Sequence, residues 1–342
     1  MPQKLIGRVV ISSTVRILFR SRPSQPGPLV RCDVNHYHWH MRNITVSIGS
    51  EHYKVAIGTT VEEVLVIANL VTDCKAQTYK DNPYIGALLN GELHSCTRSL
   101  LADCTLEPVH LFSDMGKRVY RHSISYLLCA AVSMLYPHRR LIIGHALGDG
   151  YYFRFDDKLT LGIDDISTIE KTMRMLVKQD LPIEEVTMTY RAALAYFEQN
   201  NFNHTVSLLS TRNDPKITLY RLQGYLDISY EPLLSRTGQM EVWELIPYQD
   251  RGMLLRYPRT HNVMGLDPFV DNPKLFSVFR EYKRWGSILN VQSLGQLNKL
   301  GNAHKIESFI RLAEALQQKK IVNTADMIAE RSGVKAILIA GP

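Results

Sequence analysis

From Asn43 onward the chain falls into short apolar-polar runs. Ile44-Thr45-Val46-Ser47-Ile48 alternates with a period of two and predicts a half-buried strand, and a second strand is predicted from Tyr53 to Ile57 after a turn. A helix follows. Thr59 or Thr60 can cap it, and Glu62 and Glu63 fall in its first turn, where the helix dipole favours acids. Ala87-Leu88-Leu89 then runs into Asn90-Gly91, the dipeptide of a tight hairpin turn. LEPVHLF, starting at Leu106, supplies a further strand. Hairpin, helix and more strands within 43–113 is the element order of a β-grasp.

The period then changes to that of a helix. Between about Arg121 and Tyr136, Ile124, Leu127, Leu128, Ala131 and Leu135 line one face. IGHALGDGYYFRF follows as glycine-punctuated strand, with Gly148 and Gly150 permitting tight turns. Further on, REYKRW (Arg280 to Trp285) mixes basic and aromatic residues, and an amphipathic helix turning Phe279, Tyr282 and Trp285 inward accounts for it. A helix from Lys305 is expected to carry Lys319-Lys320 in its last turn, where positive charge suits the dipole. The closing run Ala336-Ile337-Leu338-Ile339-Ala340 reads as a buried parallel strand, left at Gly341-Pro342.

With 342 residues, 45% hydrophobic and 21% charged, the chain has the make-up of a multidomain globular protein. No stretch approaches the ~20 apolar residues that span a bilayer, so no membrane partner is expected. The five cysteines form no C-x-x-C pair, which fits a reducing, cytoplasmic setting. The net charge of +7 suggests nucleic acid until its location is traced. Lys4, Arg8, Arg16, Arg20, Arg22 and Arg31 stand in residues 1–32, a stretch without acids, and hold six of the seven excess charges. The remainder is near neutral and gives RNA no compositional support. The leader (1–42) reads either as a disordered basic extension or as a mitochondrial targeting segment. His36, His38 and His40 alternate and could share a strand face around a metal, but no carboxylate or cysteine completes a set nearby.

GTTVEEV (Gly58 to Val64), the Asn90-Gly91 turn and the element order resemble a TGS domain, the ubiquitin-like module ahead of threonyl-tRNA synthetases. YRHSISYLLCAAVSMLYPHRRLIIGHALGDGYYFRFD (120–156) resembles the second additional domain of those synthetases. The stretches starting at Leu233, Asn272 and Ile306 resemble uridine kinase-like nucleoside kinases, in which both domains precede a kinase of the uridine kinase/phosphoribulokinase type. The fold class expected is therefore α+β. A TGS β-grasp (43–116) is followed by a synthetase-like domain (117–260), a helical connector (261–333) and the first strand of a P-loop kinase (334–342).

This resemblance implies an ATP-dependent, Mg²⁺-dependent kinase acting on the 5′-hydroxyl of uridine or a related nucleoside. Gly341 and Pro342 would open its nucleotide-binding P-loop, but the lysine and Ser/Thr that grip phosphate and Mg²⁺ are not in the chain. The chain alone is expected to transfer no phosphate and to need no cofactor. The alternative is a non-catalytic TGS/synthetase-like module that binds RNA, nucleotide or a partner protein.

Synthetase domains of the resembled type edit mischarged tRNA with H-x-x-x-H on the helix and a later C-x-x-x-H. Here those positions carry His122, Tyr126, Ser229 and Leu233, so three of the four polar groups are changed. Metal-dependent editing is not expected, and no catalytic residue is assigned. What remains is a vestigial pocket of Arg121, His122, Tyr126, His145, Asp149 and Tyr151.

Overall fold

The computed structural model describes residues 42–148, 150–155, 161–249, 252–259 and 262–331, except the side chains of Lys75 and His145. The expectations for the leader, Asp149, the terminal strand, Gly341 and Pro342 lie outside the described residues. The chain is α+β with mixed sheets.

The first sheet has the order β2-β1-β5-β3-β4. Its strands are β1 (Asn43–Ile48), β2 (Glu51–Ala56), β3 (Tyr84–Leu89), β4 (Glu92–Ser95) and β5 (Cys104–His110). β1 and β5 run parallel and the other pairs antiparallel. At the β3–β4 turn Asn90 has φ 50° and Gly91 φ 87°, the left-handed pair a two-residue hairpin requires. Helix α1 (Val61–Ile67) starts with a reciprocal cap. The Glu63 N–H donates to Thr60 Oγ1 at 3.3 Å, and the Thr60 N–H donates to the Glu63 carboxylate at 2.7 Å. Val61, Val64 and Leu65 of α1 pack with Ile44, Val46, Ala87 and Leu106 into one core.

The rest of the chain forms a larger core on α2 (Asp114–Leu135) and α3 (Ile163–Gln179). α2 begins earlier than the periodicity of its apolar face suggests, because Ser113 caps it by accepting the Gly116 N–H at 3.0 Å. Ile124, Leu127, Leu128 and Ala131 are buried, as their spacing predicts. One sheet, β11-β12-β7-β6, combines β6 (Leu141–Leu147), β7 (Gly150–Phe155), β11 (Glu244–Tyr248) and β12 (Gly252–Arg256). Another, β10-β9-β8, combines β8 (Glu184–Thr189), β9 (Lys216–Leu222) and β10 (Tyr225–Asp227), with α4 (Tyr190–Gln199) and α5 (Asn203–Leu209) between β8 and β9.

Tyr79, in the segment between α1 and β3, belongs to the larger core and ties that segment to it. Its ring lies 5.2 Å from those of Phe112 and Tyr120, and its N–H donates to Glu241 at 3.1 Å.

Three helices follow: α6 (Pro273–Ile288), α7 (Leu294–Asn302) and α8 (Ile306–Ala329). On α6 Phe276 is the buried residue, whereas Tyr282 is 51% exposed, contrary to the expected inward face. Lys319 and Lys320 lie in the middle of α8 rather than in its last turn, because Ile321 to Ala329 contains no helix breaker. Lys320 instead pairs with Glu281 at 2.5 Å. Among the described residues no helix is long and apolar enough to cross a membrane.

Candidate functional site

The positions where the resembled synthetases carry their paired histidines lie on one face of α2, where residues four apart are neighbours; the packing around them is termed the α2 cleft. His122 is half-buried there. Burial pushes its pKa below the ordinary 6.5, and Arg118 and Arg121 act in the same direction while Glu231 opposes them. Arg118 forms an ion pair with Glu231. His122 is therefore a neutral ring at pH 7, set in a charged rim.

One turn further along, Tyr126 is buried, and its hydroxyl donates to the Tyr220 carbonyl. Its ring packs 5.1 Å from that of Tyr225. The side chain thus occupies the place where a second imidazole would have to project, and its one polar atom is committed to strand β9. The loop after β10 completes the closure. Ser229 Oγ donates to the Glu231 carbonyl at 2.6 Å, and Leu233 is fully buried. Leucine offers neither a lone pair for a metal nor a transferable proton. Among the described residues no group of three His, Cys, Asp or Glu side chains is arranged to hold a metal ion.

The six residues expected to line a vestigial pocket separate into groups. Arg121 lies 5.1 Å above the Tyr257 ring, which is 5.4 Å from Tyr151, so Arg121 and Tyr151 share an aromatic contact. Arg121 Nε is buried without a hydrogen-bond partner. His122 lies near Glu231 of the loop after β10, and Tyr126 packs on β9 and β10. The side chain of His145 and all of Asp149 lie outside the described residues.

A further pair emerges from the fold alone. Asp227 accepts hydrogen bonds from the Tyr225 hydroxyl at 2.7 Å and the Ile228 N–H at 2.8 Å. Burial raises its pKa above the usual carboxylate value, and those two bonds partly oppose the shift. Beside it, burial pushes the Cys129 thiol up to about 12, which removes thiolate nucleophilicity at neutral pH. Asp227, Tyr225, Cys129, Arg139, Arg140 and Phe202 line part of a cavity of about 180 Å³. Arg140 is held over the Phe202 ring at 3.9 Å. The position of Asp227, two residues before Ser229, is the one sequence clue to it. Its tyrosine partner follows only from the short β10 strand.

No protein-family model matches the chain. Curated threonine–tRNA ligases do. The ligase of Acetivibrio thermocellus is 30% identical over 159 residues, which is 46% of this chain and 25% of that protein. That of Desulforamulus reducens is 30% identical over 207 residues, 60% of this chain and 31% of the ligase. That of Clostridium tetani is 28% identical over 187 residues, 54% and 29% respectively. The chain thus spans between a quarter and a third of the length of these relatives.

This similarity corrects the expectation of a uridine kinase-like protein that phosphorylates a nucleoside, and with it the place in pyrimidine salvage that such an activity would imply. About half of the chain matches an aminoacyl-tRNA ligase, a different chemistry from nucleoside phosphorylation. The sole residues offered for a phosphate loop were Gly341 and Pro342, with no lysine to grip a phosphate. The homology supports a threonyl-tRNA synthetase-like region.

Proposed function

We propose that the chain is a synthetase-like module that works by binding and carries out no hydrolysis of mischarged tRNA. The observation that carries this reading is the filled α2 cleft. Tyr126 spends its hydroxyl on the Tyr220 carbonyl, and buried Leu233 replaces the group a C-x-x-x-H pair would supply. One half-buried neutral histidine cannot by itself both bind a metal and activate water.

The module has two parts in this reading. Residues 43–116 form a TGS-type β-grasp, supported by the strand order β2-β1-β5-β3-β4 with one parallel central pair and α1 packed into its core. Residues 117–260 form the synthetase-type second additional domain, supported by the ligase similarity and the long helix α2. RNA, a nucleotide or a protein surface remain the classes of partner such a module takes.

Metal analysis tests the reading without any assay of turnover. Chain purified in the presence of zinc and then desalted should hold well under one zinc per molecule, with no difference in His122→Ala. One zinc per chain, lost in that variant, would refute it.

A further inference from the structure

The face of the β11-β12-β7-β6 sheet turned away from α2 carries a feature the synthetase-like reading does not use. Alternation along β7 sends Phe153 and Phe155 into the large core and Tyr152 and Arg154 to the opposite face. Helix α6 lies over that face, with Phe276 and Phe279 at ring distances of 5.2 and 5.6 Å from Tyr152. Beside this aromatic contact runs an open groove of about 840 Å³, lined in part by Arg154, Phe279, Arg280, Lys283 and Arg284.

Among the described residues, the lining of this groove carries four cations, Arg154, Arg280, Lys283 and Arg284, and one carboxylate, Glu281. Arg280, Lys283 and Arg284 are three and four residues apart, so they project from one side of α6. Arg154 lies close enough to act on Lys283, and together with burial it holds the ammonium pKa below its ordinary 10.5. Glu281 is the carboxylate of the lining, and Lys320 already pairs with it at 2.5 Å. Among the described residues, no carboxylate forms an ion pair with Arg154, Lys283 or Arg284. Like charges gathered in a half-buried groove repel, and the arrangement is relieved by an anion that brings matching charge.

We propose that this groove is a binding site for a small ligand carrying two linked phosphate groups, as in a nucleoside diphosphate. Arginine forks grip phosphate oxygens in pairs, and lysine adds a compact point charge. A carboxylate would balance one of Arg154, Lys283 and Arg284 and leave the other two opposed. Two phosphates balance them all, at about −1.5 to −2 for a terminal group near neutral pH. A long nucleic-acid backbone fits less well, because the cations line a single groove and the globular body is near neutral. Binding needs no Mg²⁺, since Glu281 is committed to Lys320 and offers no free carboxylate. The proposal is independent of the filled α2 cleft, which lies on the other side of the sheet.

Calorimetric titration of the full chain with inorganic pyrophosphate, in EDTA and low salt, tests it. One saturable site is expected, with a nucleoside diphosphate binding at the same site. Lys283→Gln and Arg284→Gln should each weaken binding by about tenfold or more, the loss of one charge-assisted contact. Lys283→Arg should retain it. Lys171→Gln with Lys178→Gln, exposed on α3, removes two charges elsewhere and should change nothing. No saturation by pyrophosphate, equal affinity in the groove variants, or groove-dependent binding of single-stranded RNA or anionic vesicles without pyrophosphate binding would each overturn the proposal. Arg284 is exposed on a helix surface, so its variant should fold even where a Lys283 variant does not.

Discussion

Tyr126 sets what the α2 cleft can do, and it does so through one hydrogen bond. Replacing it by phenylalanine leaves the buried Tyr220 carbonyl without that donor, so Tyr126→Phe should cost about 1–3 kcal/mol in urea unfolding. A neutral result would mean the hydroxyl is not holding the cleft shut. Asp227 makes a second, pH-dependent prediction. Its folded pKa is raised above the unfolded 3.8, so its contribution is fully present below pH 3.8 and is lost as pH rises through the folded value. At neutral pH the buried carboxylate is therefore a liability. Asp227→Asn should gain stability relative to the parent at pH 7.5 compared with pH 4, read as a shift in urea midpoint. A difference independent of pH would remove burial as the cause. That positions 126 and 233 carry tyrosine and leucine in place of histidine was legible in the residue types. The Tyr225–Asp227 pair was not, because nothing in the spacing tells that a three-residue strand will bury it.

The helices divide into those that hold the fold and those that rest on it. α2 buries a dozen residues, whereas α8 buries none. Leu127→Ala should therefore cost about 2–5 kcal/mol, and Ile321→Ala, 48% exposed, less than about 0.5 kcal/mol. Comparable losses at both sites would contradict the division. Periodicity revealed the apolar face of α2 but not its first two turns. Gly116 weakens the helical pattern there, yet it is required, since a Cβ would collide with the His110 and Leu111 carbonyl oxygens at the end of β5. On α6 the aromatic run looked like one inward stripe. Phe276 and Phe279 take the contact with Tyr152, which leaves Tyr282 in solvent.

At the scale of the molecule, the junction between the first sheet and the larger core includes Tyr79 and the Arg98–Glu185 ion pair at 2.6 Å. Calorimetry should then show the two cores unfolding in one transition; two well-separated transitions would show that the junction carries little energy. Strand and helix patterns were legible on either side of this junction. Tyr79 was not, because it sits in a short turn without periodicity. The resemblance to a kinase arose from the stretches starting at Leu233, Asn272 and Ile306, and the ligase relatives redirect it. The module proposed here keeps the form of an editing domain without its chemistry. The most direct test is deacylation of a threonine-specific tRNA carrying a wrong amino acid, followed with the purified chain and with His122→Ala. The account predicts rates equal to those without protein for both. Turnover by the parent chain that disappears in His122→Ala would contradict it.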